Sequence, residues 1–393
     1  MLENLTPQPV DKIIALMEMY RADPRTEKLD LGVGVYKDTS GNTPVMRAVK
    51  SAEKQLWEEQ QSKSYVGLLG DLSFVDAMRD MILGDTIPAE RICGAQTPGG
   101  TGAIRQLYEL IKKASPDAAV WLSTPTWPNH PAMAKHLGIP TKSYRYFDEV
   151  TCEVDFDAMA EDLSGVKPGD VVLLHGCCHN PTGANIDVDQ WSVVTDMLLQ
   201  VKAIPMIDLA YQGFGDGLDE DVRGLRRMAS RVPQLLMAAS CSKNFGLYRD
   251  RVGVALAINE DADQAAMTKG TFASLNRLNF SFPPDHGAKL VSMILSDEGL
   301  TAEWKTELEE MRQSMLKLRT DLADELRKAT NSDRFDFVAN HRGMFSRLGL
   351  SEEQVIRLRE EFGIYMVGDS RINIAGLPGD RLDWMAKAIA SVL

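Results

Sequence analysis

Five short apolar runs without polar alternation set the strongest limit on the fold. They occupy residues 119–122, 171–174, 204–207, 235–238 and 254–258. Successive side chains of a strand point to opposite faces, so a strand with one wet face alternates apolar and polar residues. Runs that stay apolar at both parities belong to strands covered on both sides. That is the condition of a parallel sheet between two layers of helices. Amphipathic stretches with a helical period lie between the runs, among them 103–113 and 188–201. The alternation predicts an α/β fold, a doubly wound and mostly parallel sheet.

The two ends of the chain read differently from its middle. Residues 303–328 form a long, charged, periodic stretch, which predicts an extended helix leading out of the large domain. Residues 335–393 then read as a small α+β unit. The apolar, glycine-punctuated segment 29–36 is expected to pack with it. The predicted boundaries lie near Thr43 and Met311. They give a large domain of 44–310 and a small domain built from 1–43 and 311–393.

Charge and cysteine usage remove several function classes. With 43 basic and 56 acidic residues the net charge is −13. Nucleic acid and anionic membranes are therefore not expected partners. Any anionic substrate must be held by local arginines against the overall field. No apolar run approaches the roughly 18 residues of a membrane span. Residues 1–10 show no basic segment followed by an apolar one, so a cytoplasmic location is expected. The five cysteines are odd in number and lack framework spacing, which suits a reducing compartment. Cys177-Cys178-His179 suggests a metal site. Adjacent cysteines chelate one ion poorly, however, and no second cluster supplies further ligands, so no metal is expected.

The residues that suggest chemistry follow the apolar runs. Ser240-Cys241-Ser242-Lys243 ends one of them, and Arg251 lies eight positions beyond the lysine. A primary amine forms an imine with an aldehyde, and an arginine beside it suits a phosphate; pyridoxal phosphate carries both groups. The alternative is an exposed lysine after a buried strand. Gln96-Thr97-Pro98-Gly99-Gly100-Thr101-Gly102 precedes an amphipathic helix, where glycines and free N–H groups suit an anion. It also reads as a tight loop. Asp208 stands at the end of a buried strand, where a carboxylate needs a partner or serves as a helix cap. Tyr211 follows three residues later. Asn180-Pro181 with Gly183 is a turn after another strand, at the sheet edge where ligands bind in such folds. Trp127, between prolines, either packs or stacks on a flat ring. Arg277 and Arg371 suit carboxylates, although each also reads as half of a surface ion pair.

Together these motifs resemble the fold-type I pyridoxal-phosphate aminotransferases, and most closely the branch with aspartate and aromatic amino-acid (tyrosine) aminotransferases. The resemblance runs from Leu31-Gly32-Val33-Gly34-Val35-Tyr36 to Arg371-Ile372-Asn373-Ile374-Ala375-Gly376. It is most specific at 240–253, at 175–183, at Trp127-Pro128-Asn129-His130 and at Tyr211-Gln212-Gly213-Phe214. It implies a transaminase with ping-pong turnover and the cofactor joined to Lys243 as a Schiff base. Asp208 would pair with the cofactor's ring nitrogen, and Tyr211 and Asn180 with its phenolic oxygen. Trp127 would stack on the ring, and His130 would partner Asp208. Gly100, Thr101, Ser240 and Arg251 would hold the phosphate. Arg371 would clamp the substrate α-carboxylate, with the Gly34 backbone nearby. The resemblance also implies a homodimer with shared active sites. Tyr65 would reach the neighbour's phosphate, and Arg277 the distal carboxylate in the neighbour's site. Phe282 and Cys241 look more like the aromatic-acting members, which accept both aromatic and dicarboxylic amino acids. The alternative is a strict aspartate aminotransferase.

Overall fold

The computed structural model describes residues 1–7 and 10–393. A seven-stranded sheet forms its centre: β1 (Ile92–Pro98), β2 (Val120–Thr124), β3 (Thr141–Arg145), β4 (Val171–His175), β5 (Ile204–Leu209), β6 (Leu235–Ser240) and β7 (Val252–Ile258). The strands lie in the order β1-β7-β6-β5-β4-β2-β3. All neighbours are parallel except β7, which runs antiparallel to both β1 and β6. The expected α/β fold is therefore present, with one correction. The last apolar run was expected in a parallel sheet, but side-chain periodicity is the same for either strand direction and cannot show the reversal.

The sheet buries both faces. In β4, Val172 and Leu174 join one apolar cluster, while Val171 and Leu173 join the other. The same division separates Met237 from Leu236 and Ala238 in β6. Each fully buried leucine contributes about 2–3 kcal/mol, which both faces of these strands collect.

Four helices bear on the site: α1 (Lys12–Ala22), α2 (Gly99–Ala114), α3 (Ala262–Asn279) and α4 (Glu298–Thr330). The expected helix at 188–201 is found as Val188–Val201. A reciprocal Asp187–Gln190 capping box opens it, and Lys202 closes it in the left-handed conformation. α4 is longer than predicted and passes unbroken through Met311, the expected boundary. It spans about 50 Å at 1.5 Å per residue. The chain ends meet where Leu29–Asp30 pairs in parallel with Ile364–Tyr365. Nearby, β8 (Phe345–Arg347) pairs antiparallel with β9 (Arg371–Asn373). Among the described residues, no helix is long and apolar enough to cross a membrane.

Candidate active site

The antiparallel turn of β7 gathers the site. Its first residue, Val252, lies opposite Pro98 at the end of β1, and Gly253 lies opposite Ser240 at the end of β6. The end of β1, the end of β6 and the start of β7 thus share one sheet edge with the ends of β2, β4 and β5. A cavity of about 260 Å³ opens there. Gly34, Gly100, Thr101, Trp127, Asn180, Asp208, Tyr211, Ser240, Lys243, Arg251 and Arg371 all line it.

One end of the cavity is built for an anion. The glycine motif is not a loop, because β1 runs directly into α2 at Gly99. No side chain caps the first turn of α2, which leaves backbone N–H groups and the positive end of the helix dipole free. Gly99 has φ +71°, and a Cβ there would lie 2.5 Å from the Arg251 guanidinium, so only glycine fits. Arg251 is anchored by donation to the Tyr248 carbonyl at 3.0 Å.

Asp208 lies in a polar chain on the α2 side of the sheet. Its Oδ2 is 3.0 Å from His130 Nε2. A carboxylate only accepts, so that nitrogen carries a hydrogen, and Nδ1 lies 2.8 Å from the Thr126 hydroxyl. Thr126 Oγ1 is also 3.3 Å from His175 Nε2. Burial alone would raise the Asp208 carboxyl. The bond to His130 and the fields of His130 and Lys243 outweigh burial and hold it below the ordinary range. Burial pulls the His175 ring down to about 3, so it is neutral.

Lys243 is a half-buried amine in the cavity wall. Its Nζ stands 4.9 Å from the Tyr211 ring centroid. Burial lowers it to about 8; the charge of Asp208 opposes the shift and that of Arg251 adds to it. Burial pushes the Tyr211 phenol far up, so it stays protonated. Asn180 Nδ2 donates to the Tyr211 hydroxyl at 3.5 Å, and Asn180 Oδ1 is buried without a partner. Arg371 is also buried. Its Nη2 donates to the Gly32 carbonyl at 2.8 Å, while its Nε has no partner among the described residues. A guanidinium in that state is a receptor for a carboxylate.

Two candidate residues lie elsewhere. Tyr65 is 84% exposed and stacks on Phe282 at 4.7 Å, and the Arg277 guanidinium stands 6.0 Å from the Phe282 ring. None of the three lines the cavity of its own chain. Cys241 is fully buried against Met78 and is likewise outside it. The structure also corrects the reading that Cys177 and Cys178 lack further ligand atoms. Asp221 places a carboxylate oxygen within 4.8 Å of both thiols. Its two oxygens already accept from the backbone N–H groups of Gly213, Gly215 and Asp216.

Sequence reasoning missed six lining residues: Ile13, Ile104, His175, Ala210, Ser242 and Phe345. Ser242 was legible as the neighbour of Lys243 in the same segment. His175 was legible as the last residue of an apolar run. Ile13 from α1 and Phe345 from β8 reach the cavity only through tertiary packing.

Comparison with known proteins agrees with this geometry. Residues 26–389 match the sequence model of the family described as aminotransferase class I and II. The chain is 56% identical over 392 residues to an aromatic-amino-acid aminotransferase of Paracoccus denitrificans, covering 100% of both chains. It is 42% identical over 397 residues to an aspartate aminotransferase of Salmonella typhi, again covering 100% of both. Among solved structures, it superposes with a TM-score of 0.97 on an aromatic-amino-acid aminotransferase of Burkholderia pseudomallei covalently bound to pyridoxal phosphate. That protein is 38% identical, and the match covers 100% of this chain and 99% of the other.

Proposed function

The chain belongs to the class I and II aminotransferases, and on that premise we propose that it moves the amino group of aromatic amino acids (Tyr, Phe, Trp) and dicarboxylic amino acids (Asp, Glu) to 2-oxo acids such as 2-oxoglutarate, with pyridoxal phosphate as cofactor. One observation carries the reading. A half-buried amine, a buried carboxylate and a buried guanidinium whose Nε has no partner among the described residues converge on one cavity.

The residues present fit the cofactor. The uncapped start of α2 with Arg251 matches a phosphate, and the orphaned amide oxygen of Asn180 marks a polar surface that awaits a partner. When bound, pyridoxal phosphate supplies an aldehyde and an electron-withdrawing ring that acidifies the substrate's α-carbon. Lys243 provides the amine that takes and returns the α-proton, and its lowered affinity for protons keeps it competent near neutral pH. Asp208 stays ionised and holds a protonated ring nitrogen, with His130 fixing its orientation. Tyr211 and Asn180 donate to the phenolic oxygen, and Trp127 offers a flat face to the ring. Gly100, Thr101, Ser240 and Arg251 hold the phosphate, joined by Ser242. Arg371 and the Gly34 backbone receive the α-carboxylate. We also propose a cytoplasmic location, which the five free cysteines support.

The substrate class is tested by kcat/KM for Asp, Phe and Tyr with 2-oxoglutarate. We expect the aromatic values within about tenfold of that for Asp, the scale on which an apolar pocket discriminates. Aromatic values several orders of magnitude lower would reject this reading in favour of a strict aspartate aminotransferase.

The exposed Tyr65–Phe282–Arg277 cluster supports a homodimer in which each chain completes its neighbour's site. Mixing Lys243→Ala and Arg277→Ala subunits tests it. Half of randomly paired dimers are then hybrids with one intact site, so activity toward aspartate is expected to return to about a quarter of the unmodified level. No recovery on mixing would reject shared sites.

A further inference from the structure

Arg319 lies on the apolar stripe of α4, beside Met315, Leu322 and Leu326, and is fully buried. A guanidinium in such a place is costly unless its donors are satisfied. Nη1 donates to the Val338 carbonyl at 3.1 Å and the Ser346 hydroxyl at 2.8 Å. Nη2 donates to the Gly343 carbonyl at 2.8 Å and the Phe345 carbonyl at 2.7 Å. All four acceptors are neutral, and burial draws the group down to about 9. A carboxylate would satisfy a buried arginine more simply. What these bonds achieve is to fix the segment 338–346.

That segment delivers Phe345 to the cavity. The Phe345 ring lies 4.4 Å from the Arg371 guanidinium, within cation–π range. At the tip of the ring, a Cβ at Gly34 would fall 2.6 Å from Phe345 Cζ. Phe345 is also paired with Asn373 in the β8–β9 ladder. The Asn373 amide donates to the Val33 and Val35 carbonyls at 2.8 and 2.7 Å, on either side of Gly34. The ring therefore touches both Gly34 and Arg371, and a shift of its backbone disturbs both contacts.

We infer that Arg319 is a positioning residue: by clamping the backbone of 343–346 it sets Phe345, and through Phe345 the orientation in which Arg371 receives a substrate carboxylate. The inference rests on the reading of Arg371 given above. Arg319→Lys keeps the charge, but one ammonium cannot span four acceptors that a planar fork reaches.

With the holoenzyme, we expect Arg319→Lys to raise KM for Phe and Asp, and Kd for indole-3-propionate, by about tenfold to a hundredfold, the cost of misplacing a binding group by ångström-scale amounts. Indole-3-propionate has a carboxylate and no amine, so it reports carboxylate capture without chemistry. kcat is expected to change little, and the cofactor's absorbance spectrum to stay the same. Ser346→Ala removes a single acceptor. It should shift Kd the same way by a smaller factor, and it serves if Arg319→Lys does not fold. Arg371→Leu is measured beside them, and adding Arg319→Lys to it should raise Kd no further. If Arg371→Leu leaves Kd unchanged, the reading of Arg371 falls. If it raises Kd while the folded Arg319 and Ser346 variants do not, the role of Arg319 alone is overturned. A lowered kcat with unchanged Kd overturns it too, because that pattern reports general loosening.

Discussion

Replacing Lys243 by alanine is expected to lower kcat for transamination by about five orders of magnitude, equivalent to ~7 kcal/mol of transition-state stabilisation. The size follows from two duties on one atom. On the proposed assignment the amine would form the covalent link to the cofactor and carry the α-proton, and among the described residues no other lysine lines the cavity. The fold should survive, because a truncated side chain at a cavity wall leaves space that water can fill. Absorbance reports the first duty: the variant should lose the pH-sensitive visible band of the lysine-bound cofactor. An unchanged spectrum would sink the assignment. The second duty has a pH signature. Burial lowers the amine from its ordinary 10.5 to about 8, so its neutral fraction rises with pH through that point and saturates about one unit above it. Cofactor uptake by cofactor-free protein should accelerate from pH 7 through 8 and level off by about pH 9. A profile that keeps climbing toward 10.5 would show that the amine is solvated, contrary to its burial.

Asp208→Asn should cost about three orders of magnitude in kcat, or ~4 kcal/mol, at the upper end of the cost of losing one preorganised electrostatic partner. The substitution keeps shape and removes charge. An amide can still meet His130 Nε2, which lies 3.0 Å from the native carboxylate, so the neighbouring chain through Thr126 and His175 should remain. Only the pairing with a protonated ring nitrogen is lost, and with it the ring's capacity to draw electrons. The loss should appear in kcat, with substrate Kd nearly unchanged, because Arg371 is untouched. A Kd effect as large as the kcat effect would assign Asp208 to substrate binding instead.

Much of the fold was legible because side-chain period and capping are local. Val188–Val201 carries its start and stop signals within its own neighbourhood. β1 was missed because Gly94, Gln96 and Thr97 interrupt the apolar pattern, although all three are buried. The start of α2 was placed too late because glycines argue against helix, whereas Gly99 is needed for its positive φ and for the passage of Arg251. Arg319 reads in sequence as one more charge on a polar helix. Its spacing from Met315, Leu322 and Leu326 marks the apolar face, but nothing local shows that its acceptors lie 19 to 27 residues away.

The sequence alone determined that this chain would form a two-faced α/β sheet, and that Lys243, Asp208, Asn180, Trp127 and Arg251 would stand at strand ends. Those outcomes depend on alternation, turn chemistry and chain direction, which act over a few residues. Only the tertiary structure decided that β7 reverses to bring Arg251 beside α2, that Phe345 meets both Gly34 and Arg371, and that Tyr65 and Arg277 stand outside the cavity of their own chain. Each of these depends on contacts between segments remote in sequence. Such contacts are chosen by the packing of the whole chain, and no local pattern encodes them.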